Sequence, residues 1–299
     1  MRVAIAGSSG FIGTALVKSL EARGDHVVRL VRRAVTDTTH EIEWHPDRGQ
    51  LEANSLEGFD AVVNLAGEGI ASKRWTAAQK KRIVDSRVAT TSLLARAITE
   101  QSSPPSVLVN GSAIGFYGNG GDVELDETSP SGQGFLADVV RQWEAAADKA
   151  SRPETRVAFA RTGMVLDAGG GSLAKMLLPF KLGAGGRLGS GRQWMSWITL
   201  SDHVRALCWL LDHRLEGPVN LVAPNPVTNA EFTRALGHAL HRPTILPTPK
   251  LALHTLLGRE LVDELLFTSQ RVLPRALTAS GFEFEFPAIE AALGTSIHK

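Results

Sequence analysis

A glycine-rich turn near the N-terminus constrains the fold of this chain more than any other feature. It reads Gly7-Ser8-Ser9-Gly10-Phe11-Ile12-Gly13 and joins a β-rich run, Arg2–Ala6, to a segment with helical apolar spacing, Phe11–Ala22. Such glycines permit a tight turn and a close backbone approach, and the N–H groups at the helix start favour a pyrophosphate. The alternative is a turn that closes a βα unit without a ligand. The residues predicted to lie against a dinucleotide are Gly7, Ser9, Gly10, Phe11, Ile12 and Gly13.

Strand and helix signals alternate through the first half of the chain, which predicts an α/β fold with a doubly wound parallel Rossmann sheet. Residues 1–165 are predicted to form this dinucleotide-binding domain. The polar segment Thr76–Glu100 is interpreted as two helices, and Gly134–Ala150 as one long helix. The predicted strands are Arg2–Ala6, His26–Val31, Glu41–Trp44, Asp60–Ala66, Ser106–Asn110 and Arg156–Ala160.

The second half is richer in loops, and residues 166–299 are predicted to form a smaller α/β substrate domain. A part of it within 195–225 is expected to complete the sheet. The spacing predicts a helix over Leu200–Leu211 and a strand over Pro218–Val222. Thr228 opens a Thr-x-x-Glu capping box, which marks a helix start. A last strand is predicted over Phe282–Phe286.

The second predicted strand ends in Arg32-Arg33, where an NAD site usually carries Asp or Glu for the ribose hydroxyls. A guanidinium instead offers a planar set of donors that suits a 2′-phosphate. The pattern therefore favours NADP(H), with Arg32 as the preferred contact. The alternative is that both side chains are solvated surface charges.

Composition excludes several other classes of protein. Hydrophobic residues make up 43% of the chain and the formal net charge is +1, so neither disorder nor a general attraction to nucleic acid is expected. No apolar stretch is long enough to span a membrane, and the N-terminal run is too short for a signal peptide. The single Cys favours a reducing, cytoplasmic setting, and the His spacing predicts no metal site.

Several segments together resemble the extended short-chain dehydrogenase/reductase family, and more narrowly its atypical NAD-dependent epimerase/dehydratase branch with a small C-terminal domain. They include Asn64–Glu68, Gly111-Ser112-Ala113, Arg161-Thr162-Gly163 and Gly189–Ile198. The resemblance implies NADP(H) and further cofactor contacts. For two of them, Leu65 and Ala66, strand core is a compatible reading, and for Arg87 the alternative is a helix-surface charge. The implied contacts are Leu65, Ala66, Gly67, Arg87 and Val165.

The single tyrosine constrains the chemistry that the resemblance implies. Family members with ordinary chemistry use a Ser and a Tyr-x-x-x-Lys pair, in which the phenol transfers a proton while nicotinamide transfers hydride. Ser112 matches the Ser, but the pair aligns with Phe135 and Val139, and Tyr117 is followed by Gly121 rather than Lys. Three readings stay open. Tyr117 acts as an unusual acid with Ser112, another group such as Glu68 or Lys175 does so, or the protein binds NADP(H) without ordinary turnover.

The substrate is predicted to be a small molecule that the sequence does not identify. The slot for the arginine that grips a nucleotide-sugar diphosphate holds Met195, with Arg192 three residues earlier, so nucleotide-sugar epimerisation is disfavoured. We expect an oxidoreductase or epimerase-like protein, with a non-enzymatic NADP(H)-dependent binding or regulatory protein as the alternative. A homodimer is one open oligomeric state.

Overall fold

An eight-stranded sheet lies at the centre of the computed structural model, which describes residues 1–297. The strand order is β12-β8-β6-β5-β1-β2-β3-β4, and every pairing in it except β3–β4 is parallel. The sheet strands are β1 Arg2–Ala6, β2 His26–Val31, β3 Glu41–His45, β4 Gln50–Leu51, β5 Ala61–Asn64, β6 Val107–Ala113, β8 Arg156–Thr162 and β12 Gly217–Leu221. The short strands outside it are β7 Glu124–Leu125, β9 Met164–Leu166, β10 Trp194–Met195, β11 Trp197–Thr199, β13 Val227–Thr228 and β14 Arg271–Val272.

Helices cover both faces of the sheet, so the predicted doubly wound α/β fold is confirmed. Alternate residues of β1 point to opposite faces: Ile5 packs with α1 and α5, whereas Ala4 packs with α2 and α3. A third apolar cluster is built by α4, α6 and α10 around Trp197. The helices are α1 Phe11–Ala22, α2 Ala77–Thr99, α3 Phe135–Asp148, α4 Gly171–Lys181, α5 Leu200–Asp212, α6 Asn229–Ala239, α7 Lys250–Leu257, α8 Arg259–Leu261, α9 Arg275–Ala279 and α10 Ile289–Ile297.

Two predicted elements were wrong. The segment interpreted as two helices is one helix, α2, because Thr76 caps its start and residues 77–99 contain neither Gly nor Pro. No strand forms over Phe282–Phe286. Buried Asp202 accepts hydrogen bonds from the backbone N–H groups of Glu285 and Phe286, each at 2.9 Å, so a side chain satisfies these donors in place of a neighbouring strand.

The second half of the chain contributes to the central sheet. After β8 the chain forms α4, β11 and α5, and it then returns to place β12 parallel to β8 at the edge of the sheet. The predicted capping box is present, since Thr228 and Glu231 bond each other's backbone N–H groups. The domain boundary at 165/166 stays a prediction. In the part of the chain that the structure describes, no helix combines the length and apolar character that crossing a membrane requires.

We predict that His203 makes stability depend on pH. Its ring is fully buried on α5 with Nε2 3.0 Å from Thr162 Oγ1, and burial lowers its pKa to about 4. The unfolded chain binds this proton from about pH 6.5 downward, whereas the folded chain excludes it. The free energy of unfolding should therefore fall by about 2–3 kcal/mol between pH 6.5 and 4 through this group alone.

Urea unfolding across that pH range checks the prediction. His203→Gln should flatten the pH dependence, whatever it does to stability at neutral pH. The matched control is His238→Gln, which changes an exposed histidine on α6 and should keep the wild-type slope. Equal slopes for wild type and His203→Gln would contradict the prediction.

Candidate functional site

The glycine turn is held against the end of a neighbouring strand. Gly7 has a φ of +80°, and a Cβ atom there would lie 2.7 Å from the carbonyl carbon and oxygen of Leu65. A Cβ at Gly13 would lie 2.1 Å from the Gly7 oxygen. Real side chains do not tolerate such distances, so glycine is required at both positions. The start of α1 is thereby packed against the turn, with no side chain above the backbone of Gly7.

A cleft of about 1230 Å³ opens beside this turn, at the carboxyl ends of β1, β2 and β5. In an open parallel sheet, ligands bind at this edge, where neighbouring connections leave in opposite directions. The predicted contact residues that line the cleft are Gly7, Ser9, Gly10, Arg32, Arg33, Leu65, Ala66 and Gly67. The predicted contact residues outside its lining are Phe11, Ile12, Gly13, Arg87 and Val165.

The residues outside the lining have identifiable structural surroundings. The Phe11 ring packs on the loop before α4, where a Cβ at Gly170 would come within 2.4 Å of it. Val165 is buried in β9 and pairs with Ile198 of β11. The Arg87 guanidinium is buried under the loop after β5 and donates to the Glu68 carbonyl at 3.0 Å. Burial lowers the pKa of Arg87 to about 10. Arg87 therefore supports the loop from below.

The two arginines after β2 differ in their contacts. Arg33 makes a two-armed ion pair with Glu41, and this partner lowers the pKa of the Glu41 carboxyl to about 2. Arg32 is exposed, and within residues 1–297 its guanidinium has no hydrogen-bond or ion-pair partner. Arg33 therefore braces the loop to β3, whereas Arg32 is available to an anionic group in the cleft.

Ser112 and Tyr117 belong to one buried polar network at the carboxyl ends of β6 and β8. Ser112 Oγ donates to Glu144 Oε1 at 2.6 Å, and Arg161 Nε and Nη2 each donate to the same carboxylate at 2.8 Å. Arg161 Nη1 donates to the Tyr117 hydroxyl at 3.0 Å, which in turn donates to Asn220 Oδ1 at 2.8 Å. The network thus joins the two predicted catalytic residues through an ion pair.

The surroundings of Tyr117 favour a structural role over the predicted catalytic one. Its side chain is buried, and burial raises the pKa of the phenol. An ordinary catalytic tyrosine in this chemistry has a lowered pKa and a free path to the substrate. Here the proton is held by Asn220 and the oxygen accepts from Arg161.

The amino-acid sequence matches a known family. A family model described as "NAD dependent epimerase/dehydratase family" matches residues 3–222. The chain belongs to the NAD-dependent epimerase/dehydratase family. A second model, a domain of unknown function (DUF1731), matches residues 248–295, so the narrower resemblance to a branch with its own C-terminal domain is confirmed as well.

Similar proteins in this epimerase/dehydratase family span almost the whole chain. Epimerase family protein Mb2239 of Mycobacterium bovis is 47% identical over 293 residues, which are 98% of this chain and 96% of the relative. Human epimerase family protein SDR39U1 is 42% identical over 301 residues, with 98% of each chain covered. The crystal structure of human SDR39U1 with NADPH superposes with a TM-score of 0.92 at 39% identity and 99% coverage of both chains.

An apolar cluster occupies the slot where the family's Tyr-x-x-x-Lys pair would begin. Phe135 is the first residue of α3, and its ring meets Trp75 edge-on at 4.9 Å between centroids. Lys80 Nζ lies 4.5 Å from the Phe135 ring centroid. The backbone N–H groups of Phe135 and Leu136 donate to the Glu264 carboxylate at 3.0 and 2.9 Å. This position therefore supplies no tyrosine hydroxyl for proton transfer.

The other residues proposed from the sequence bond to different partners from those of Ser112. Glu68 accepts from Gln79 at 3.2 Å, and Lys175 donates to the Ala71 carbonyl at 3.3 Å, so both organise the loop after β5. Met195 Sδ accepts a hydrogen bond from the Asn229 side chain at 3.3 Å. Arg192 is exposed, so it does not provide a buried arginine in place of the one that Met195 replaces. Among residues 1–297, no cluster of three or more His, Cys, Asp or Glu side chains is arranged to hold a metal.

The sequence did not identify Glu144, Arg161 and Glu264 as site residues. The signal for the first two was a charge at a position that the apolar pattern predicts to be buried. Glu144 follows Trp143 on the core face of α3, and Arg161 continues the apolar run of β8. Glu264 gave no such signal in the sequence. It lies in a π-helical turn over Val262–Leu266, and only the tertiary fold brings that turn next to the start of α3.

We predict that the Glu144–Arg161 pair is needed for stability. Both side chains are less than a tenth exposed, so Glu144→Gln leaves a buried guanidinium without its counter-charge. The free energy of unfolding should fall by about 3 kcal/mol. The matched control is Glu154→Gln, which breaks the solvent-exposed pair with Arg152 and should cost less than about 1 kcal/mol. Denaturant unfolding measures both, and similar losses would contradict the prediction.

Proposed function

We propose that this epimerase/dehydratase family member binds NADP(H) and acts as an oxidoreductase or epimerase-like enzyme on a small molecule. The observation that carries the cofactor proposal is the cleft beside Gly7, which has a side-chain-free floor and an unpaired guanidinium, Arg32, at its rim. The structure of human SDR39U1 with NADPH supports it, since that chain is similar along its whole length.

The residues that fit the cofactor divide by chemistry. The backbone of Gly7, Ser9 and Gly10 suits the pyrophosphate, because it lies at the start of α1. Arg32 suits a 2′-phosphate, with Arg33 held aside by Glu41. Leu65, Ala66 and Gly67 offer strand-end backbone along the cleft, and Arg87 holds that loop from beneath. The further predicted contacts, Phe11, Ile12, Gly13 and Val165, lie outside the lining of the cleft and stay predictions.

The cofactor supplies hydride transfer when bound, and the chain must supply orientation and a group that accepts the proton of a hydroxyl or donates one to a carbonyl. Ser112 is the proposed contact for the substrate's reacting oxygen. Since Ser112 Oγ donates its own hydrogen to Glu144, it presents acceptor lone pairs to any further partner. This favours a hydroxyl-bearing substrate over a carbonyl one. Tyr117 bonds to Arg161, which in turn holds the Glu144 carboxylate that accepts from Ser112. Whether Tyr117 also transfers a proton is the point to test.

Two observations favour a second candidate function, that of a non-enzymatic NADP(H)-dependent binding or regulatory protein. Phe135 and Val139 replace the usual pair, and the Tyr117 hydroxyl is bonded on both sides. A protein that senses NADP(H) needs the cleft but no proton donor. Hydride transfer with any metabolite would overturn this second candidate.

We expect Arg32→Ala to weaken NADPH binding by about 10- to 100-fold, because a charge-assisted hydrogen bond to a phosphate contributes about 1.5–3 kcal/mol. NADH binding should change by less than about threefold. Titration calorimetry with both cofactors measures the two affinities. The matched control is Arg33→Ala, which removes a guanidinium already paired with Glu41 and should affect NADPH less. Equal losses for NADPH and NADH in Arg32→Ala would refute the 2′-phosphate contact.

We expect Tyr117→Phe to leave most of any turnover intact, with a loss below about tenfold, because its proton is held by Asn220. It should lower the free energy of unfolding by about 1–2 kcal/mol, since Arg161 and Asn220 each lose a buried partner. Ser112→Ala should reduce turnover more while NADPH affinity is kept. A screen of alcohols and carbonyls that follows NADPH absorbance supplies the assay.

The outcomes of this test separate three cases. A loss beyond about 100-fold in Tyr117→Phe at unchanged NADPH affinity would identify Tyr117 as the acid. Full activity of Ser112→Ala would remove Ser112 from the mechanism. If neither the wild type nor any variant shows a melting-temperature shift with NADPH, both candidate functions fail.

A further inference from the structure

Positive charge is concentrated in two segments of the second half of the chain. Residues 168–201 and 232–259 together contain eight Lys or Arg residues and no Asp or Glu. Two of the eight, Lys250 and Arg259, are paired with Asp263, which lies just outside the second segment. The chain as a whole has a formal net charge of only +1, so the remainder is net negative. Such asymmetry creates a local field even on a nearly neutral protein.

The two segments meet in space. Arg242 Nε donates to the carbonyl of Lys181 at 2.9 Å, and the Thr248 N–H donates to the carbonyl of Arg187 at 2.8 Å. Leu188 also forms a β-bridge with Thr248. The end of α4 and the stretch before α7 therefore form one continuous surface.

This surface also exposes large aliphatic side chains. Ile245 is 83% exposed and Leu246 and Leu182 are 74% exposed each, and α7 buries none of its residues fully. Soluble surfaces seldom cluster such side chains without a partner. We call this surface the apolar-basic face and define it by Lys181, Leu182, Arg187, Arg242, Ile245 and Leu246.

We propose that the apolar-basic face docks on a membrane surface that contains anionic phospholipid. Exposed Leu and Ile side chains can enter the boundary between headgroups and acyl chains, while Lys and Arg attract the anionic headgroups. The docking is peripheral and needs no spanning helix, and it departs from the expectation, drawn from composition, of a protein without a membrane partner. Negative charge elsewhere on the chain orients the face toward the bilayer.

Charge argues against two other occupants. A second copy of this chain on a two-fold axis would bring the basic side chains of the face, Lys181, Arg187 and Arg242, against the same basic set of the other copy, and these charges repel. A nucleic acid would leave the aliphatic side chains uncovered, and base stacking uses aromatic side chains, whereas the exposed large apolar residues here are aliphatic.

The face is tied to the cleft by short contacts. Lys175 of α4 donates to the Ala71 carbonyl at 3.3 Å, and Arg74 donates to the Thr255 carbonyl of α7. The loop after Gly67, a residue that lines the cleft, is thus held by both helices.

Co-sedimentation of the full chain with vesicles tests the proposal. Vesicles of phosphatidylcholine alone are compared with vesicles that also contain phosphatidylglycerol, at low and at high salt. We expect the anionic vesicles to bind at least tenfold more tightly, and added salt to weaken that binding. Ile245→Ser/Leu246→Ser should lose at least tenfold in affinity, and Lys181→Glu/Arg187→Glu should lose the preference for anionic vesicles.

Matched controls lie away from the face. Val123→Ser removes an exposed aliphatic residue and Lys149→Glu inverts an exposed charge, and both should bind as the wild type does. An unchanged melting temperature shows that each variant is folded, and Arg242→Glu replaces any double variant that fails this check.

Three outcomes would overturn the proposal. They are absence of binding to anionic vesicles at low salt, equal losses in the control variants, and a wild-type dimer that Ile245→Ser/Leu246→Ser converts to monomer. The last result, measured by light scattering, would assign the face to self-association. None of these results bears on NADPH binding, so the cofactor proposal stands or falls separately.

Discussion

The ion pair between Glu144 and Arg161 positions the polar side chains at the carboxyl ends of β6 and β8. It lies where α3 crosses the ends of β6 and β8, and it is excluded from water. Two buried charges are stable only when their remaining donors and acceptors are satisfied, and here Ser112 and Tyr117 supply those partners. The geometry of the proposed catalytic residues is therefore a consequence of neutralising a buried charge.

The same pair explains how a family fold can retain its serine while losing its usual acid. In the ordinary arrangement a tyrosine and a lysine near the start of α3 orient one another over the nicotinamide. Here Phe135 and Trp75 fill that place with aromatic rings, and the polar contacts lie deeper, around Arg161. The cleft lies at the sheet edge, and the polar side chains beside it differ from that ordinary pair.

Local sequence patterns predicted the fold because they act over short distances. The turn from Gly7 to Gly13 and the capping box at Thr228 each involve residues a few positions apart, and both have the predicted local structure. The predicted strand at Phe282–Phe286 failed because Asp202, 80 or so residues earlier, takes its N–H groups. Glu264 escaped notice for the same reason, since only the tertiary fold brings it to α3.

Only part of the site was predictable from the sequence, because several of its contacts join residues that are far apart in the chain. The resemblance implied backbone positions at a strand end, such as Leu65 and Gly67, and these residues line the cleft. The sequence favoured Arg32 over Arg33 as the 2′-phosphate contact, but it could not show that Arg33 is held by Glu41, because that partner lies in the next strand. Nor could the sequence show that the Tyr117 hydroxyl bonds to Asn220, which lies in β12.

The position of β12 has a consequence for how the chain is synthesised. β12 is the last strand of the central sheet to be made, and it pairs with β8 only after the intervening residues 163–216 have left the ribosome. Until then β8 is an edge strand with unpaired backbone groups, the kind of edge that recruits other chains. Arg161 places a charge on that strand, and charged side chains are one of the features that disfavour pairing of an exposed strand edge with other chains.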